Sequence, residues 1–163
     1  MPERPNPLIF ECPGSQGIRG CDLHCGKIQM NILVLDNQTS HIDTLARGLR
    51  IKGHRVVAAT NAEEALRLLR PGEPAIDLII TDDATVLPDS GELIRCIEEC
   101  CRRPPVIMMT KGKVSGHNIN PLCRFCTAFL EKPFDMAALM ETVETSMHAP
   151  AQGSPAAGKP LEG

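Results

Sequence analysis

Four chemically distinct side chains stand where four hydrophobic, strand-like runs end. Asp36 follows Asn31-Ile-Leu-Val-Leu, Asp82 follows Asp77-Leu-Ile-Ile-Thr, Thr110 follows Val106-Ile-Met-Met, and Lys132 follows Ala128-Phe-Leu-Glu. In an open parallel α/β sheet, ligands gather at the carboxyl ends of the strands, so residues far apart in sequence meet in one pocket. Two carboxylates, a hydroxyl and an ammonium brought together there suit a bound cation and a phosphoryl group.

The elements that must position these groups are legible as periodicity. Ile42, Leu45 and Leu49 repeat at helical spacing, Gly53 stops that helix, and Val56-Val57-Ala58 forms a short second strand. Asn61 with Glu64 three residues on makes a helix cap, Ala65, Leu66 and Leu69 supply the buried stripe, and Pro71, Gly72 and Pro74 end the helix. Leu93, Ile94, Ile97 and Cys101 give a third helix its core face, and Met136, Leu139, Met140 and Val143 do so for a last helix capped by Asp135. Strand and helix signals therefore alternate, the signature of an α/β domain with a parallel sheet covered on both faces. The domain is expected over residues 30–147. Residues 1–29, rich in Pro, Gly and Cys, read as a flexible extension, with translation from Met30 or a functional extension as equal explanations. Residues 148–163 read as a disordered tail.

In order and spacing, Asp36-Asn37, Asp82, Thr110 and Lys132-Pro133 resemble the receiver domain of two-component response regulators. The resemblance implies a flavodoxin-like (βα)5 fold with strand order 2-1-3-4-5. It implies Asp82 as the phospho-acceptor and nucleophile, Lys132 on one phosphoryl oxygen and Thr110 donating to another. Mg²⁺ is expected at Asp36 and Asp82, with the Ala84 backbone carbonyl and, weakly, Asn37. Receivers generally carry a carboxylate where Asn37 stands; an amide brings an oxygen but no charge, so Mg²⁺ affinity is expected to fall. Lys111 also departs from the small residue usual after the hydroxyl. A cis Lys132-Pro133 bond is implied, as is a switch in which Thr110 moves toward the phosphate and Phe129 turns inward. A Phe129 fixed in the core is the alternative. The segment 111–127, with Gly112, Gly116, Asn118, Asn120 and Pro121, suits a helix badly, so the fourth helix should be short, displaced or partly lost.

Asp82 and Asp83 compete for the acceptor role. Spacing back from Pro88 and Gly91 favours Asp83; strand length favours Asp82, with the extra residue placed in the loop. Asp82 is preferred and Asp83 held as the fallback, because loops accept insertions more readily than strands.

The resulting reading is a single-domain response regulator that accepts a phosphoryl group from a histidine kinase or histidine phosphotransfer protein and signals through another protein. It is not a conventional enzyme; its chemistry is at most self-catalysed phosphoryl acceptance and dephosphorylation. A degenerate receiver acting only as a protein-binding module is the alternative, and a cysteine-based metal or redox sensor the outsider. Cys123-Arg-Phe-Cys126 has half-site spacing, and Cys12, Cys21, His24 and Cys25 could add ligands, but packing thiols are the simpler reading.

A net charge of −3 with no Trp or Tyr argues against a nucleic-acid partner. No apolar run is long enough to span a bilayer and the N-terminus lacks a secretion signal, so a cytoplasmic protein with reduced thiols is expected. Gly20 to Lys27 fails as a phosphate-binding loop because Ile28 stands where Ser or Thr is required. His41, His54, His117 and His148 read as solvent-facing.

Overall fold

The computed structural model describes residues 28–86, 90–100, 102–112 and 121–148. Five parallel strands form one sheet: β1 (Asn31–Leu35), β2 (Arg55–Ala59), β3 (Leu78–Asp82), β4 (Val106–Thr110) and β5 (Cys126–Glu131), in the order β2-β1-β3-β4-β5. The order is the expected 2-1-3-4-5. Helices α1 (Thr39–Ile51), α2 (Ala62–Leu68), α3 (Asp83–Val86), α4 (Ser90–Glu99) and α5 (Met136–His148) connect the strands or follow the last one.

Each sheet face carries its own core. One cluster joins Ile32, Val34, Ile80 and Met109 to Ile42, Leu45 and Leu49 of α1 and Leu139 and Val143 of α5. The other joins Leu33, Leu35, Ile79 and Met108 to Ala65 of α2 and Leu93 and Ile97 of α4. Strand residues alternate between the two faces, and both faces are covered, which is why β1, β3 and β4 read as continuous apolar runs. Burying each large aliphatic side chain contributes about 1.5–3 kcal/mol.

Local signals explain the boundaries. Asn61 accepts a hydrogen bond from Glu64 N–H at 2.9 Å, and the Glu64 carboxylate accepts from Thr60 N–H at 2.7 Å and from the Thr60 hydroxyl. These bonds favour the ionised form and hold the partly exposed Glu64 carboxyl below its ordinary pKa. Asp135 caps α5 by accepting from Ala138 N–H at 2.7 Å. Gly53 ends α1 with φ of +96°, a left-handed conformation that glycine adopts without a Cβ penalty.

Two elements differ from the sequence expectation. The chain turns into the short helix α3 directly after β3, so the helix expected third is α4. Between β4 and β5, the described residues contain a 3-10 helix, Pro121–Phe125, where a fourth α-helix was doubtful; residues 113–120 of that segment lie outside the described residues. So do residues 1–27 and 149–163, which hold most of the expected extension and tail, including Cys12, Cys21, His24 and Cys25. Among the described residues, no helix is long and apolar enough to cross a membrane.

Candidate functional site

Sheet register brings together the strand ends that carry the four groups. Leu35 pairs with Thr81, so the next residues on the two strands, Asp36 and Asp82, sit side by side at the carboxyl end of the sheet. Thr110 pairs with Glu131, and the Thr110 carbonyl accepts the Lys132 N–H at 2.7 Å, which ties the start of the β5–α5 connection to the end of β4. The Lys132-Pro133 bond is cis.

Lys132 reaches across the strand ends. Its Nζ donates to Asp82 Oδ1 at 2.6 Å and lies 3.6 Å from Asp36 Oδ2. Asp36, Asp82 and Thr110 are all buried. Two buried carboxylates thus share one ammonium, which by itself balances only one of them. Burying an uncompensated charge is costly, so this arrangement favours recruitment of a cation.

The remaining contacts orient Asp82. Its Oδ2 accepts from the Ala84 N–H at 3.2 Å and from the Thr85 hydroxyl at 3.4 Å. Thr85 Oγ1 in turn accepts the Asn37 N–H at 3.0 Å, which anchors the loop after β1 to the turn after β3. Because β3 ends at Asp82 and α3 begins at Asp83, only Asp82 occupies the strand-end position facing Lys132; Asp83 is partly exposed in the first turn of α3.

The donor set fits a hard divalent cation. Asp36 and Asp82 supply the charge, while the described residues contain no cluster of three or more His, Cys, Asp and Glu side chains that could hold a metal. Asn37, exposed and directly after Asp36, and Ala84, exposed in α3, offer neutral oxygens, and water would complete the shell. Asn37→Asp is expected to raise Mg²⁺ affinity about 10-fold or more by adding carboxylate charge. The same change should lower stability without Mg²⁺ by about 1 kcal/mol through like-charge repulsion. Calorimetric Mg²⁺ titration and denaturant unfolding check both; unchanged affinity would place residue 37 outside the cation's reach.

Thr85 and His41 were missed in the sequence reading. His41 was expected to face solvent, yet its Nδ1 lies 3.2 Å from Asp36 Oδ2. Its position one residue before the Ile42, Leu45, Leu49 stripe was the available signal, because that flank of a helix borders the sheet. Thr85 carried no comparable pattern. His54 also departs from the expectation, being buried immediately before β2, whereas His148 is exposed and His117 lies outside the described residues.

Beside the carboxylates is a cavity of about 450 Å³, walled by Leu45, Met109, Pro133 and Phe134 and edged by His41, Lys111 and Lys132. Lys111 is exposed there. On the opposite face of the sheet, Phe129 pairs in register with Met108 of the second core cluster, yet it is 44% exposed. The alternative of a Phe129 sealed in the core is therefore corrected: the side chain sits on the same face as Thr110, in register two residues before it, and is exposed at the sheet edge.

The described thiols are packing groups, and Cys101, expected on a helical core face, lies outside the described residues. Cys96, Cys100, Cys123 and Cys126 are partly buried against the second core cluster. Cys126 Sγ donates to the Leu122 carbonyl, and burial, with Cys123 nearby, pushes its pKa up to about 12. Burial also raises Cys96, assisted by Glu99. A thiol so shifted is a poor nucleophile and a poor metal ligand near neutral pH.

Comparison with known proteins agrees with this architecture. A response regulator receiver domain model matches residues 32–144. The DNA-binding transcriptional regulator NtrC of Bradyrhizobium sp. (strain RP501 Parasponia) is 32% identical over 122 residues, 74% of this chain and 25% of that protein. The chain thus spans about a quarter of the length of the first curated relatives it matches. A CheY-like receiver domain protein from Methanospirillum hungatei JF-1 superposes with a TM-score of 0.62 at 23% identity, covering 74% of this chain and 94% of that one. The receiver domain of the sensor histidine kinase PA1611 from Pseudomonas aeruginosa PAO1, with a magnesium ion coordinated in its active site cleft, superposes with a TM-score of 0.63. It is 24% identical, covering 75% of this chain and all of that one.

Proposed function

This chain belongs to the response regulator receiver domain family of two-component signal transduction, and on that premise we propose that it accepts a phosphoryl group on Asp82 from a phosphohistidine. The observation that carries the reading is Lys132 Nζ held between the buried carboxylates of Asp82 and Asp36, at 2.6 and 3.6 Å. An Asp82 oxygen attacks phosphorus, the new O–P bond forms as the N–P bond breaks, and the imidazole leaves with the bonding pair and takes up a proton. The product is an acyl phosphate. Bound at Asp36 and Asp82, Mg²⁺ would neutralise charge on the phosphoryl oxygens. Lys132 moves from the carboxylate to a phosphoryl oxygen, and Thr110 donates to another. The donor is a histidine kinase or a histidine phosphotransfer protein.

The output follows the second face of the sheet. Thr110 and Phe129 share that face, so a shift of Thr110 toward the phosphate opens space into which the exposed ring turns. A downstream protein would read the changed surface around β5 and α5. The neutral Asn37 favours a second reading, a receiver-shaped binding module that is rarely phosphorylated.

Intact mass after incubation with acetyl phosphate tests the first reading against the second. A Mg²⁺-dependent adduct, stable in acid and labile in base, is expected. No adduct at high donor and Mg²⁺ would leave the binding module.

A further inference from the structure

The Asp36 carboxylate is fixed before any cation arrives. Its Oδ1 accepts the Gln38 N–H at 2.8 Å, and its Oδ2 faces His41 Nδ1 at 3.2 Å. A carboxylate only accepts hydrogen bonds, so Nδ1 is the ring nitrogen that carries the hydrogen. Asp36 is almost fully buried, and the imidazole, 41% exposed, covers it from the first turns of α1.

His41 also bears on the place of Lys132. At 3.6 Å the Lys132 ammonium is beyond hydrogen-bond distance of Asp36 Oδ2, while at 2.6 Å it is tightly bonded to Asp82. With His41 at Oδ2, Asp36 keeps the ammonium only through the longer 3.6 Å ion pair, while the hydrogen bond goes to Asp82. The remaining lone pairs of Asp36 stay available to a cation, and Lys132 stays on the acceptor carboxylate. Asn37 contributes no charge, so cation binding here leans on Asp36 and Asp82, and the orientation of Asp36 carries more of the affinity.

Resting on the cation reading above, we infer that His41 is a positioning residue whose Nδ1–H holds the Asp36 carboxylate in the orientation that receives Mg²⁺. Partners that orient a ligating carboxylate typically change metal affinity by about 10- to 100-fold when removed.

His41→Leu and His41→Asn separate positioning from simple packing. Leu keeps bulk and removes the donor; Asn carries an amide nitrogen on Cγ, where the imidazole carries Nδ1. Mg²⁺ titration by calorimetry is expected to show about 10-fold weaker binding for His41→Leu, with substantial recovery in His41→Asn. A second readout needs no metal. In Mg²⁺-free protein, amide exchange at Gln38, whose N–H is held by Asp36 Oδ1, should quicken in His41→Leu and recover in His41→Asn. Wild-type affinity and exchange in His41→Leu, or equal losses in both variants, would overturn the inference while leaving the cation site intact. A wild-type protein that binds no Mg²⁺ would overturn the cation reading along with it.

Discussion

Asp82→Ala is expected to abolish the phosphoryl adduct, whereas Asp83→Ala should retain most of it. The two carboxylates are adjacent in sequence but sit in different elements. Asp82 is the last residue of β3, 3% exposed, with one oxygen on Lys132 and the other on the Ala84 N–H and Thr85 hydroxyl. Asp83 opens α3 and is partly exposed. Nucleophilic attack needs the carboxylate aligned with the groups that stabilise the incoming phosphoryl, and misplacement by even ~1 Å can cost about 100-fold. Only Asp82 has that alignment with Lys132. Intact mass of both variants after acetyl phosphate treatment, with the adduct mapped by proteolysis under acid conditions, reads the outcome. Loss of the adduct in Asp83→Ala and its survival in Asp82→Ala would reverse the assignment.

Lys132→Met should be the next most damaging change, and in two separable ways. The initial rate of phosphoryl acceptance should fall by about 100-fold, the scale on which one preorganised donor to a developing oxyanion acts. Stability without Mg²⁺ should also fall. Removing one partner of a buried ion pair typically costs about 3–5 kcal/mol. The Lys132 side chain retains 18% exposure, so solvent screens part of that, and a loss of about 2–3 kcal/mol is expected. Mg²⁺ should restore more stability to the variant than it adds to wild type, because the two carboxylates then lack the ammonium and Mg²⁺ supplies charge in its place. Urea unfolding with and without Mg²⁺ measures this. A variant as stable as wild type in the absence of Mg²⁺ would show that the carboxylates do not rely on the ammonium.

The fold was largely legible because its signals are local. Apolar runs ending in Asp36, Asp82, Thr110 and Lys132, the helical stripes through Ile42 and Leu93, the Asn61 cap and the Gly53 stop each depend on residues a few positions apart. The weak point was also local: the segment after Thr110 lacks a helical pattern, and its described portion is a 3-10 helix. The exposure of Phe129 is not legible, because on an edge strand it depends on what the neighbouring segment covers, and no local period encodes that.

By itself, the sequence determined the kinds of groups available, their order along the chain and the elements that end in them, since periodicity and capping act over single turns of chain. It therefore assigned Asp36, Asp82, Thr110 and Lys132 to strand ends. Tertiary structure decided how those ends meet. The register of β1 on β3 sets Asp36 beside Asp82, and the passage from strand to helix at residue 83 separates the two adjacent aspartates. Packing of α1 on the sheet turns His41 from a surface residue into a partner of Asp36. The meeting of the strand ends depends on contacts between residues some 50 positions apart, as between Asp82 and Lys132, where closing the chain into a core fixes distance and direction together.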